Sequence, residues 1–234
     1  MSIDYRNLSL EEAHLTVVGL TRVYKGDGVG RWFQKGGYSY QGLSEGERAK
    51  ILLDGEEVVE LDYPAMHPHI LYAWEDERCP DGFYQMIAEA SGCPRQVAKS
   101  MTLFALNARS PASLSSAINL DKAKEAKKNP TRKEPRPILY EELKRLGLKP
   151  VDVVRAIIKV HPAIAKYLFG GFANKLMLAE SDIMTSVLLS LMGLGIPALP
   201  VHDSVVGPAR YRETVRRVME EEFERHTGFG ITVG

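Results

Sequence analysis

Asp62 and Asp203 are the residues of this chain whose setting points most directly to chemistry. Asp62 closes the run Val58, Val59, Glu60, Leu61, Asp62, Tyr63, and Asp203 lies within Leu199, Pro200, Val201, His202, Asp203, Ser204, Val205, Val206. Both runs are apolar and β-rich, so a carboxylate in either has no packing role. Strands pairing side by side would bring the two carboxylates together. Converging like charges repel, and one tends to protonate unless a cation lies between them. A hard divalent ion resolves the conflict, and Mg²⁺ is usually held by one or two carboxylates plus substrate phosphates. The plain alternative is two solvent-facing aspartates at strand ends.

A second constellation follows Pro94, a proline suited to the first turn of a helix. Arg95 and Lys99 are four apart and share a face, with Thr102, Leu103 and Leu106 along it and Asn107 at its edge. Two cations on one helix face either grip a polyphosphate or simply form a solvated basic surface. Beside two metal-poised aspartates, the phosphate reading is preferred.

The surrounding elements must deliver these groups. Ala49–Leu53 and Val58–Leu61 flank Asp54-Gly55, which predicts a hairpin whose second strand carries Asp62 outward. Helices are predicted over Asp81–Ala90, Pro94–Arg109, Val151–Phe169, Lys175–Met192 and Tyr211–His226, with a helical patch around Ser9–Gly19. Glu180 and Asp182 are expected to open the helix that precedes Asp203, where acidic residues favour the N-terminus. Ile183–Val201 runs nineteen residues without a charge, long enough to suggest a membrane span. Gly193, Gly195, Pro197 and Pro200 interrupt it, so it reads instead as a buried helix feeding the Asp203 strand. Antiparallel strands with intervening helices argue for an α+β fold.

Composition bounds the rest. With 234 residues, 44% apolar and 26% charged, the chain can bury a real core. The formal net charge of +0 gives no global attraction to nucleic acid or membrane, so any basic surface is local. Residues 121–149 supply one, with ten Lys/Arg against five Asp/Glu, among them Lys127, Lys128, Arg132 and Lys133. Cys79 and Cys93 have neither zinc-site nor disulfide-framework spacing, and the polar N-terminus does not read as a signal peptide. A cytoplasmic protein with no membrane partner is expected.

Four elements together resemble a known group. Glu60-Leu61-Asp62-Tyr63-Pro64 through His67 to Tyr72 looks like motif A of the single-subunit right-hand polymerases, which include the family A DNA polymerases and the phage and mitochondrial RNA polymerases. Arg95, Lys99, Leu103 and Asn107 are similar to motif B, and Val201-His202-Asp203-Ser204 resembles motif C. Gly30-Arg31-Trp32-Phe33 resembles the Gly-Arg element ahead of motif A. The elements fall in the family's order and cover the chain from about Gly30 onward.

The resemblance implies an antiparallel palm sheet with a helical fingers subdomain, without an obvious thumb. Residues 1–92 would hold the N-terminal segment and first palm part, 93–175 the fingers, and 176–234 the second palm part. Asp62 and Asp203 would hold two Mg²⁺ ions, with Mn²⁺ as a substitute and the Tyr63 carbonyl as a further ligand. Arg95 and Lys99 would bind the triphosphate, Lys99 protonating the leaving pyrophosphate; Leu103, Asn107 and His67 would line the nucleotide site. Arg31, His202 and the 121–149 segment would contact template and primer. Processivity would come from a replication partner protein.

Three positions depart from the family pattern. His67 stands where DNA-polymerising members usually have Glu, while Leu103 and Asn107 replace aromatics. The bulk of His67 leans toward deoxynucleotides, although its ring could equally hydrogen-bond a 2′-hydroxyl. An RNA polymerase or primase-like enzyme, and a catalytically silent nucleic-acid-binding module, are the alternatives.

Overall fold

The computed structural model describes residues 2–4, 15–17, 19–25, 29–35, 39–127 and 139–234, with 2, 15–17, 24, 25, 29, 35 and 121–127 described by their backbone. These residues form a mixture of helices and antiparallel sheet in two compact units, residues 1–70 with 174–234 and residues 71–173.

The first unit contains strands β1 (Ser2–Asp4), β2 (Leu15–Val17), β3 (Gly19–Lys25), β4 (Val29–Lys35), β5 (Leu52–Leu53) and β6 (Glu56–Asp62), with helix α1 (Glu45–Arg48) between β4 and β5. Helix α2 (Met66–Ala73) leads into the second unit. That unit holds α3 (Phe83–Ser91), α4 (Arg95–Asn107), α5 (Pro111–Lys127), α6 (Leu139–Arg145) and α7 (Pro150–Val160). The chain returns through α8 (Ala173–Gly193), β7 (Leu199–Val201), β8 (Ser204–Pro208) and α9 (Arg212–Thr227). A six-stranded sheet is ordered β2-β1-β5-β6-β8-β7 with antiparallel pairing, and β3 and β4 form a separate two-stranded ribbon.

The local chemistry of the chain accounts for these elements. Leu53 pairs with Glu56 across Asp54-Gly55, both at positive φ (+50° and +86°), the two-residue turn that Asp-Gly favours. The hairpin's first strand is shorter than predicted. Ser44 and Glu47 make a capping box that starts α1, so residues 45–48 coil and pairing begins only at Leu52. On β6, Leu61 is fully buried whereas Asp62 is exposed, so the pleat turns the carboxylate away from the core. Ile3, Tyr40, Ile51, Leu53, Leu199 and Val206 pack beneath the sheet in one buried cluster.

The structure corrects other sequence expectations. Within the expected helical patch, residues 15–17 form a strand and Gly19 opens the next one, while positions 9–14 and 18 lie outside the described residues. The single helix expected over Val151–Phe169 ends at Val160. Pro162 cannot donate into a continuing ladder, and a 3₁₀ turn follows at Pro162–Tyr167. Glu180 and Asp182 do not open a helix; α8 already begins at Ala173, which places them two turns in. α8 is long and apolar enough to cross a membrane by length and composition, and it buries Leu176, Ile183, Met184, Val187 and Leu191 within the protein.

In the second unit, His161 is fully buried and stacks on Phe83 at 3.8 Å between centroids. Its neutral ring satisfies both nitrogens: Nε2 donates to the Phe83 carbonyl (3.0 Å), and Nδ1 accepts from the Tyr72 hydroxyl (2.9 Å). Burial depresses the imidazole pKa below the ordinary 6.5, outweighing the opposing effect of the Phe83 hydrogen bond. The unfolded chain therefore binds a proton that the folded one refuses, and His161 costs stability as pH falls below about 6.5. The limiting slope is about 1.4 kcal/mol per pH unit between the two pKa values. Thermal unfolding followed from pH 7.5 to 5 should show this loss, and His161→Gln should flatten the profile. An equal slope in the variant would remove His161 as its source.

Candidate active site

The strand pairing brings the backbones of the two aspartates side by side. β6 and β8 run antiparallel with Asp62 opposite Ser204, so Asp203 stands one residue from Asp62's direct partner. The Tyr63 amide donates to the Asp203 carbonyl at 3.2 Å, locking the ends of the two strands together. The C-terminal segment closes the other edge: Asp62 and Gly234 exchange backbone hydrogen bonds at 3.2 and 3.3 Å.

Asp203 occupies a two-residue turn. Val201 pairs with Ser204, leaving His202 and Asp203 as the loop, and His202 takes φ +57°. Positive φ at the first loop residue only is the type II′ pattern, where glycine is usual. Ala65, three residues after Asp62, is also in the left-handed region at +51°. Such conformations cost about 1–3 kcal/mol each and persist where the surroundings impose them, often at functional sites. Both aspartates thus sit beside a strained backbone position.

An ionic scaffold beneath the turn holds it in place. Ser204 Oγ donates to Glu60 Oε1 at 2.6 Å and lies 2.9 Å from the Val201 carbonyl. Arg48 grips the Glu60 carboxylate with two nitrogens at 2.7 and 2.8 Å and also reaches the Leu43 carbonyl. Glu60 and Asp62 are two apart on one strand face, so the pair supports the strand end that presents Asp62. The Tyr63 hydroxyl is anchored differently, donating to the Met219 carbonyl at 2.6 Å on α9, and burial raises its pKa far above the tyrosine norm.

A second cluster links the β3–β4 ribbon to α8. Glu180 is 3% exposed and hydrogen-bonds Arg31 Nη2 at 3.1 Å and His67 Nε2 at 2.8 Å, with Arg31 Nε 3.0 Å from its Oε1 as an ion pair. Burial works against the charged carboxylate, yet the His67 hydrogen bond and the Arg31 charge outweigh it and hold the pKa below the usual range. Arg31 Nη1 also approaches His202 Nδ1 at 3.4 Å. The His202 ring is shifted down, first by desolvation and then by the Arg31 charge. Arg22 pairs with Asp182 at 2.5 Å, Trp32 Nε1 donates to Thr185 at 3.0 Å, and the Ser181 hydroxyl donates to the Gly30 carbonyl. The ribbon is therefore fixed to α8 along two turns.

His67 and His69, two apart in α2, take different partners. His67 turns to Glu180, whereas His69 Nδ1 contacts the Ala65 carbonyl at 3.0 Å. Among the described residues, no group of three or more His, Cys, Asp or Glu side chains could hold a metal ion. Asp62 at the end of β6 and Asp203 in the turn before β8 offer hard carboxylate oxygens, the donor type that suits Mg²⁺ rather than a caged transition metal. Trp32 and Tyr40 are both engaged within the protein, Tyr40 being fully buried with its hydroxyl donating to the Pro200 carbonyl.

In the second unit, α4 buries Val97, Ala98, Met101, Thr102 and Ala105 and leaves Arg95 and Lys99 exposed one turn apart on the opposite side. The Arg95 guanidinium lies 5.6 Å from the centre of the Tyr84 ring. Leu103 and Asn107 line an open cleft of about 490 Å³ between the end of α4 and the start of α5, together with Phe104, Ala108, Arg109, Ser113 and Ala117. Asn107 Nδ2 folds back onto the Leu103 carbonyl at 2.7 Å. Phe104 went unnoticed in the sequence, since it falls one residue beyond the expected aromatic position. Lys127 ends α5, and Lys128, Arg132 and Lys133 lie outside the described residues.

No protein-family model matches the sequence, and no curated protein matches it. The structure is similar to that of the POL domain of Pol1 from M. smegmatis in complex with DNA primer-template and dNTP, at a TM-score of 0.50 and 12% identity. The similarity covers 93% of this chain and 46% of that one. At that identity the likeness is one of architecture, and it establishes a polymerase-like fold for this chain.

Proposed function

We propose that the protein is a template-directed nucleotidyltransferase that adds nucleoside triphosphates to a nucleic-acid 3′ end, with a lean toward DNA synthesis. The observation that carries this reading is the meeting of Asp62 and Asp203 at adjacent ends of β6 and β8. The polymerase-like fold supports it.

In this reading Asp62 and Asp203 hold the divalent ions, and the Tyr63 carbonyl oxygen adds a ligand. Held by these residues, Mg²⁺ would supply charge neutralisation for the triphosphate and activation of the primer 3′-hydroxyl. The remaining work falls to the chain's own side chains. Arg95 and Lys99 bind the triphosphate by charge-assisted hydrogen bonds, and Lys99 Nζ gives a proton to the departing pyrophosphate. Arg31 and His202 meet the primer–template near the turn, and the basic segment adds salt-dependent, sequence-independent contacts to the backbone. Template, primer and nucleotide are the partners, and a processivity protein would lengthen the products.

Extension of a labelled primer–template with Mg²⁺, with dNTPs and rNTPs assayed separately, tests the reading. Incorporation in the deoxynucleotide reaction is expected. Salt-dependent binding of primer–template without incorporation, with Mn²⁺ as well as Mg²⁺, would instead identify a silent binding module. Lys99→Ala should raise the nucleotide KM about 10–100-fold, the value of one hydrogen bond to a charged group. An unchanged KM would remove Lys99 from the site.

A further inference from the structure

We propose that Glu180 is a positioning residue that sets sugar selectivity by holding His67 and Arg31 with one carboxylate. This rests on the nucleotidyltransferase reading of the site.

A carboxylate that is 3% exposed in the middle of a helix must find partners or lose its charge. Glu180 finds two on different elements. Its Oε2 takes both His67 Nε2 at 2.8 Å and Arg31 Nη2 at 3.1 Å, and Oε1 lies 3.0 Å from Arg31 Nε. His67 lies in the first turn of α2, five residues after Asp62, and Arg31 reaches on to His202, the neighbour of Asp203. One buried group therefore ties a side chain that follows the first aspartate to one that touches the turn carrying the second.

The physical consequence concerns fixity. The His67 side chain is 17% exposed, so one edge of the ring is open while its Nε2 end is pinned. A side chain can discriminate against a 2′-hydroxyl only if it cannot move aside. A ring released from Glu180 regains rotamer freedom and yields to the extra oxygen. The Arg31 guanidinium, which donates from Nη2 to the same carboxylate, would lose its orientation together with His67.

The test is the ratio of kcat/KM for dNTP to that for rNTP on one primer–template. Glu180→Ala is expected to move this ratio toward one by roughly 10–100-fold, equivalent to one charge-assisted hydrogen bond. Glu180→Gln keeps an acceptor oxygen and the side-chain shape, and it should retain an intermediate ratio. In a His67→Ala background, Glu180→Ala should change the ratio no further. A purely structural role would instead lower both kcat/KM values equally and leave the ratio unmoved, which would overturn the assignment. A wild-type ratio already near one would overturn it as well. If Glu180→Ala does not fold, Glu180→Gln decides: a ratio shifted toward one supports the proposal and an unchanged ratio refutes it. Absence of any extension by the wild type is the separate outcome that brings down the underlying nucleotidyltransferase reading.

Discussion

Asp62→Asn and Asp203→Asn should each lower nucleotide incorporation by about 10³-fold or more while leaving the fold intact. Metal-assisted charge stabilisation is worth several kcal/mol in the transition state, and each 1.4 kcal/mol is a factor of ten in rate. Asparagine keeps the size and one oxygen but loses the charge that would bind a divalent ion. The fold is expected to survive because Asp62 is exposed and Asp203 half-exposed in a two-residue turn, while the strands are held by backbone pairing from Val58–Pro208 to Asp62–Ser204. Single-turnover primer extension gives the rate, and circular dichroism with thermal unfolding checks the fold. Either variant within about tenfold of the wild-type rate, at unchanged stability, would defeat the paired-aspartate mechanism. Both losses should be similar, and the double variant should lose little more, because residues acting as one unit are not additive.

Arg48→Met should destabilise the protein by about 3 kcal/mol, a Tm drop on the order of 10 °C for a chain of this size. The Arg48 and Glu60 side chains are 11% and 18% exposed, so the pair is shielded enough for its loss to be felt. Removing the guanidinium strands the Glu60 carboxylate among partly buried groups, where Ser204 Oγ donates to it at 2.6 Å. Stranding a charge costs more than the pair contributes. Arg48→Met combined with Glu60→Met should therefore recover most of the lost stability. Calorimetric unfolding of the two single variants and the double variant measures this coupling. A single variant melting within about 2 °C of wild type, or a double variant no more stable than the singles, would show that the pair does not brace the strand. Activity should fall even in the recovered double variant, since the Ser204 hydroxyl loses the Glu60 oxygen that steadies the Asp203 turn.

These two outcomes probe different parts of the same strand end. The aspartates are placed by backbone pairing, whereas the rigidity of the turn depends on Arg48, Glu60 and Ser204 acting as a chain. A site whose groups must stay fixed within fractions of an ångström depends on that second layer of hydrogen bonds. The same reasoning applies to Glu180 on the other side of the turn.

Much of this arrangement is legible in the amino-acid sequence. Alternation and turn chemistry mark β6, because two β-rich runs around an Asp-Gly loop have few other solutions. Residues 199–206 instead read as one β-rich run, which the structure breaks into β7 and β8 at His202-Asp203. The adjacency of Asp62 and Asp203 follows once those strands are paired. The exposed Arg95–Lys99 step on α4 is likewise a property of helical spacing alone.

Other features escaped because they are non-local. Glu180 looks like a helix-opening acid in the sequence, where it stands 149 residues from Arg31 and 113 from His67. Nothing in the spacing announces that a ribbon strand and α2 meet it in the folded chain. Arg48 and Glu60 are closer, twelve apart, but the capping of α1 and the turn at Asp54-Gly55 together decide that they face each other. The sequence by itself determined which residues could carry charge at strand ends and helix faces, since period and turn type are local properties. The tertiary structure decided which of those charges are buried, paired and fixed, because burial and partner choice depend on elements far apart in the chain packing together.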